Sequence, residues 1–286
     1  MDVLGWSLLP AEVGNVYLFL ILGSLSALLV SMAKAGFGGS IGVLSFPVMV
    51  YAFGGNALLA AGTQLPLLIA CDLVAVASWW GKWSFRTVWP LFPGATAGVL
   101  IGWAILWWLT SMEGQAGGAA ATQKANAILS AIVGMIALGF VVLQAARSWS
   151  SNPPAFRPVF WQSMIAGGMA GAASTLAHAA GPITTMYLLP QRMPKGTFVA
   201  STVLYYTVFN QAKLIPYFAL GLINLKTAGA SLALLPAVIV GTLLGLFLHN
   251  RVAERQFTAV VYVLLTLAGA HMCYGGVQKW LALAGR

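Results

Sequence analysis

Long uninterrupted apolar runs leave this chain few ways to fold. "LFLILGSLSALLVSM" and "AILSAIVGMIALGFVVL" are typical of them. A soluble domain carries about 25% charged residues. Here only 7% are charged, 60% are hydrophobic, and mean hydropathy is +0.88 over 286 residues. So little charge cannot coat a water-facing surface, so apolar side chains must meet lipid as well as each other. A β-barrel would need alternating segments of about ten residues, whereas these runs are continuous. The expected class is an all-α, polytopic integral membrane protein. The net charge of +9 belongs to loop Lys and Arg residues that set orientation, because no basic run or nucleic-acid motif is present. The N-terminus carries Asp2 and Glu12 instead of the basic start of a signal peptide, so the first segment is expected to be retained. Cys71 and Cys273 are far apart and say nothing about redox compartment.

Apolar runs fall near 16–34, 41–53, 57–80, 86–109, 125–147, 158–177, 182–190, 197–219, 227–249 and 255–274. Two are short: helices over 41–53 and 182–190 would measure about 20 and 14 Å at ~1.5 Å per residue, against a hydrocarbon core of ~30 Å. They occupy matching places in two halves of a repeat. "LFPGATAGVLIG" matches "LLPAVIVGTLLG", and "GFGGSIGVL" aligns with "HAAGPITTM", which sets Gly39 on Gly181 and His178 on Gly36. The halves span roughly 16–147 and 158–274, joined by "RSWSSNPPAFRP". With linker and ends they are 1–157 and 158–286, within one transmembrane domain.

Five segments per half is odd, so the halves should lie inverted in the membrane. If about ten segments cross, Lys82, Arg86, Arg147, Arg157, Arg192, Lys195, Arg251 and Arg255 share one side. Lys124, Lys226, Lys279 and Arg286 share the other. That bias puts both termini outside. Gly94, Gly98 and Gly102, echoed by Ala237, Gly241 and Gly245, read as stripes for close helix packing.

The glycines at 36, 38, 39 and 42 do not form a phosphate loop. No G-x-x-x-x-G-K-[ST] string exists, and Ile41 stands where a dinucleotide fingerprint needs its third glycine. No stretch could form an ATP-hydrolysing domain, so any transport is secondary or channel-like. Paired short, Gly/Pro-interrupted segments point to a transporter's central site, because a broken helix exposes unpaired N–H groups that attract an anion. The candidate donors are Gly38, Gly39, Ser40 and Ile41 in one half. In the other they are Gly181, Ile183 and Thr184, with Pro182 tolerated in a first turn. The hydroxyls of Ser40, Thr184 and Thr185 add to them. The competing reading is tight packing with a short connecting turn. A first helix over 16–34 nearly spans the bilayer, so a midplane site requires the glycine run to dip inward or that helix to tilt.

Thr202, Tyr206, Asn210 and Lys213 share one helical face, as do Gln64, Leu68 and Asp72. An intramembrane charge is a functional hypothesis by default. Lys213 either faces a polar cavity or snorkels to the interface. Asp72 either pairs with Lys213 or carries a coupling proton. His178 either belongs to the site, as donor or titrating group, or bonds backbone at a helix end. His249 reads as an interfacial cap and His271 as packing, with no metal-ligand set around either. With five acidic residues and no catalytic constellation, an intramembrane enzyme is disfavoured. A channel or a membrane scaffold remains an alternative.

"AKAGFGGSIGVLSFPVM" followed by "LLAAGTQLPLLIACDLVAVASWWGKWSF" resembles the first repeat of the sulfite exporter TauE/SafE family. "AGPITTMYLL" and "FVASTVLYYTVFNQAKLIPYFALGLIN" resemble its second. The resemblance covers nearly the whole chain. It implies a bacterial inner-membrane secondary transporter of sulfite, sulfonates or related organosulfur anions, without a cofactor. It also implies a site formed by the breaks of both repeats. Gly36, Gly38 and Gly39 match the first glycine motif, and Gly181 with Pro182 the second. Ser40 departs from a frequent glycine, and His178, Ala179 and Ala180 replace much of the second glycine run. The expected partners are a small anion, the lipid bilayer and, as an open option, a second copy of the chain; nucleic acid is not among them.

Overall fold

The computed structural model describes residues 15–37, 39–116, 119–148, 158–249, 251 and 254–284. Among these residues every regular element is helical. Helix α1 covers Val16–Phe37. A 3₁₀ turn over Ser40–Leu44 leads into α2, Ser45–Ala52, and α3 spans Ala57–Ser78. The short α4, Phe85–Val88, passes through a 3₁₀ turn into α5, Phe92–Ala116, and α6 is Ala119–Ser148. The second half runs α7 (Phe160–Ala177), α8 (Ala180–Leu188), α9 (Lys195–Ala212), α10 (Leu214–Ala219), α11 (Leu225–Leu248) and α12 (Glu254–Ala284). Gly38 and the side chain of Ser40, both expected at the site, lie outside the described residues.

Local chemistry explains most boundaries. Asn56 caps α3 by accepting the Leu59 N–H at 3.1 Å, and Asn224 caps α11 by accepting from Lys226 and Thr227. These side chains satisfy donors that a helix start leaves orphaned. The run expected over 197–219 is two helices, with Lys213 in the turn between α9 and α10. Pro216 has no N–H to give the carbonyl four residues back, so the helix is interrupted there. The last helix extends ten residues beyond the expected 274, to Ala284.

Among the described residues four helices, Val16–Phe37, Ala57–Ser78, Phe85–Ser111 and Leu225–Leu248, are long and apolar enough to cross a membrane. The closest helix pairs are α1 with α11, α5 with α7, and α6 with α12; α3 packs on α11 and α9. The two small-residue stripes make the α5–α7 and α1–α11 approaches. A methyl at Gly94 or Gly98 would lie 2.0 Å from the carbonyl oxygen of Met164 or Gly168 on α7. A methyl at Gly245 would lie 2.4 Å from the Met32 carbonyl on α1. Contacts this close exist only where no Cβ intervenes.

Candidate functional site

The two breaks converge. A cavity of about 20 Å³ is lined by Val30, Lys34, Gly39 and Gly42 from the first break, and by Ser174, His178, Ala180 and Gly181 from the second. Leu68 of α3 and Tyr206 and Asn210 of α9 complete it. Leu68 lies eleven residues from the start of α3 (68 − 57) and ten from its end (78 − 68). At ~1.5 Å per residue that is about 15 Å from either end, so the cavity sits at mid-length of the bundle. Its volume holds about one water.

Each break is built alike. The Gly39 N–H reaches six residues back to the Ala33 carbonyl at 2.9 Å, and the Ala179 N–H reaches Ala173 at 3.2 Å. This common wrap sets Ala179, not Gly181, opposite Gly39, and shifts the expected register at the break by two. It also corrects the expectation that Gly39 offers a free donor, since its N–H is already used. Gly39 has φ 86° and His178 has φ 50°, the left-handed region natural to glycine at a helix end. The histidine therefore holds a glycine-like turn at some backbone cost.

The helix carbonyls released at the breaks are satisfied by side chains, as buried helix ends require. In α1, the Ala35 carbonyl accepts from Trp79 Nε1 (2.9 Å) and the Gly36 carbonyl meets His249 Nδ1 (2.6 Å). Lys195 Nζ in turn donates to the His249 carbonyl. In α7, the Ser174 carbonyl keeps the His178 N–H (3.1 Å) and also accepts from Lys213 Nζ (3.1 Å), while the Thr175 carbonyl accepts from the Tyr217 hydroxyl (2.7 Å). Gly36 is thus not a cavity residue. It packs on α11, where a methyl would lie 2.2 Å from the Gly245 carbonyl oxygen. His249 is more than an interfacial cap, because it ties the end of α11 to the first break.

The charges assemble in an arrangement that spacing did not reveal. Asp72, fully buried, forms a salt bridge through Oδ1 with Lys34, whose side chain is 5% exposed. Its Oδ2 accepts from Asn210 Nδ2 at 2.7 Å. Lys34 Nζ also lies 5.4 Å from the Tyr206 ring centroid, at cation–π distance. Of the two readings left open for Asp72, pairing with Lys213 is not what forms; its cation is Lys34. Lys213 is fully buried and does not snorkel. Its Nζ donates to Ser174 Oγ at 2.9 Å and lies 3.4 Å from His178 Nδ1. His178 Nε2 is 3.1 Å from the Ala61 carbonyl. A carbonyl only accepts, so Nε2 carries the proton and Nδ1 is left as an acceptor facing Lys213. Among the described residues the Lys34–Asp72 contact is the one salt bridge, so Lys213 has no carboxylate of its own.

Thr184 Oγ1 meets the Tyr206 hydroxyl at 2.5 Å, joining α8 to α9. Pro182 lies in the first turn of α8, and Thr185 Oγ1 is buried without a partner; neither lines the cavity. Gln64 donates to Ser45 Oγ at 2.8 Å, so the Gln64–Leu68–Asp72 face does point at the first break. Lys34 and Ser174 were not anticipated. The available signal for Lys34 was charge balance: a buried carboxylate needs a cation, and Lys34 ends the run nearest the glycines.

The sulfite exporter TauE/SafE family model matches residues 23–272, a span that includes both breaks and Lys34, Asp72 and Lys213. The chain belongs to the TauE/SafE family. Membership in this family of transporters agrees with the membrane-length helices and makes the chain a membrane protein. Comparison with curated proteins and with solved structures gave no match.

Proposed function

We propose that this TauE/SafE protein is a secondary transporter that moves a small organosulfur anion, sulfite or a sulfonate, across the bacterial inner membrane by alternating access. The observation that carries this reading is a cavity lined by both helix breaks and by Lys34, with Asp72 behind Lys34 and Asn210 and the buried Lys213 behind Ser174 and His178. Asp72 balances Lys34. Lys213 is left facing only Ser174 and His178, and a lone charge at that depth is expensive. An anion arriving at Lys213 supplies the missing countercharge. Lys213 that is neutral in the empty site would take up a proton with the anion, which couples transport to protons. Asp72 then holds Lys34 in place, and His178 orients the Lys213 ammonium. The cavity has room for about a water, so an oxyanion of sulfur enters only when the walls move. Binding is thereby linked to the conformational change that a carrier needs.

The architecture in this proposal is ten crossings in two inverted halves, 1–157 and 158–286, with both termini periplasmic. Its support is that three packing relations follow the repeat: α1–α11 becomes α7–α5, while α6–α12 and α3–α9 map onto themselves; α3–α11 has only a slight counterpart in α9–α5. Lys195 reaches the His249 carbonyl, and Trp79 contacts the Lys82 ammonium, 5.2 Å from its ring centroid. Trp79 and His249 pack edge-on, so these contacts bring together Lys82 and Lys195, two of the basic residues expected on one side. Gradients set the direction, and the family favours export.

The test is counterflow in proteoliposomes with labelled sulfite or a sulfonate, alongside thermal-shift screening of the purified protein. Accelerated exchange that Lys213→Ala abolishes at sub-saturating substrate is expected. Exchange untouched by that substitution removes Lys213 from the site, and stabilisation by cations or neutral solutes alone overturns the anion reading.

A further inference from the structure

A second, larger cavity lies away from the charged site. It measures about 640 Å³ and opens between the α2–α3 turn and the α6–α12 pair. Its polar lining includes Tyr51, Asn126, Ser130, His271 and Lys279. The Tyr51 hydroxyl lies 2.7 Å from His271 Nδ1, which links α2 to α12. Asn126 Oδ1 accepts the Leu58 N–H at 3.1 Å and ties α6 to the start of α3.

The turn on its rim, Gly54–Gly55, has φ values of 61° and 93°. Glycine is needed there for the backbone, and the absence of side chains also keeps the rim open. A methyl at Gly54 would meet nothing within 4 Å, and one at Gly55 would meet only Lys279 Nζ, at 3.8 Å. Lys279 is the one charged residue among the described lining residues, with no acid to offset it. A concave, polar, singly cationic surface concentrates anions.

The cavity also leads towards the lysine site. Val50 forms part of its wall, and Phe46 lies four residues earlier on the same face of α2. The Phe46 ring meets His178 edge-on, with centroids 5.3 Å apart. His178 in turn faces Lys213. About one helical turn, closed by the buried Phe46, separates the open cavity from the charged one.

We propose that this cavity is the outer vestibule of the anion path, connecting the site with the face that carries Lys279, with Lys279 as the cation that holds the anion there and Phe46 as the partition between vestibule and site. The proposal rests on the anion-transport reading above. Ser130→Cys, in a Cys273→Ser background that leaves only the buried Cys71, places a thiol in the vestibule. Its modification in sealed vesicles of known orientation is timed with an anionic sulfonatoethyl methanethiosulfonate, its cationic trimethylammonium analogue and a neutral maleimide. The anionic reagent should react several-fold faster than the cationic one. Lys279→Ala should abolish that preference and Lys279→Glu reverse it, with the maleimide rate unchanged. In transport, Lys279→Ala should raise KM several-fold at low salt and leave the maximal rate intact. Labelling that is blind to reagent charge, or unchanged by Lys279→Ala, overturns the vestibule while the carrier reading stands. Absence of anion counterflow in the unmodified protein overturns the carrier reading and this inference with it.

Discussion

Replacing Lys34 with Met keeps most of the side chain's apolar length and deletes the cation facing Asp72. The carboxylate is fully buried and keeps only its bond from Asn210, 2.7 Å away. Removing one partner of a buried pair typically costs about 3–5 kcal/mol, because the other charge is stranded. Asp72→Asn should be damaging for the converse reason, since Lys34 would then have no countercharge, only neutral acceptors (the amide oxygen at position 72 and the Leu68 carbonyl at 3.5 Å) and the face of Tyr206. The double variant removes both charges and should lose less than the sum of the singles, because exchanging a whole buried pair for neutral groups is often near neutral. Unfolding of the detergent-solubilised proteins, followed by tryptophan fluorescence across this double-mutant cycle, measures the coupling. A Lys34→Met protein as stable as the parent, or strict additivity in the double variant, would refute the claim that these two groups sustain each other.

Other substitutions test the remaining geometry. Gly36→Ala sets a methyl 2.2 Å from the Gly245 carbonyl oxygen, so α1 and α11 must separate; a loss of folded yield or of at least several degrees in Tm is expected, and an unchanged Tm contradicts the close approach. His178→Gly suits the left-handed backbone at φ 50° but removes the ring that meets Lys213, so folded yield should be retained while anion exchange falls by about tenfold or more, in the range of a lost charge-assisted contact; normal exchange would assign His178 to the turn alone. Tyr206→Phe removes the hydroxyl bonded to Thr184 and should cost about 1 kcal/mol of stability, read by the same unfolding assay, with no loss counting against that link.

The legible parts of this protein were those set by local composition and period. The ten apolar runs correspond to helices or helix-plus-turn units, and the two short runs begin at the breaks. Gly39, His178, Gly181, Tyr206 and Asn210, all named from the sequence, line the cavity. The glycine stripes pack helices because small residues four apart always share a face. Gly36, expected at the site, packs against α11 instead of lining the cavity, for a physical reason. A glycine that lets a chain turn and a glycine that lets two helices touch look identical in sequence, and only the neighbouring Gly245 distinguishes them.

By itself, then, the sequence determined an all-helical membrane class, the positions of the breaks and the polar faces of α3 and α9. Hydropathy and periodicity act over one or a few helical turns, so they are readable along the chain. The tertiary structure alone decided how charge is distributed at the centre. Lys34 and Asp72 are 38 residues apart (72 − 34), and Asp72 and Asn210 are 138 apart. Which cation neutralises the carboxylate, and which is left to meet an anion, depends on how separate helices rotate and stack. In a medium without water that packing assigns each buried charge its partner, and here it leaves Lys213 without one.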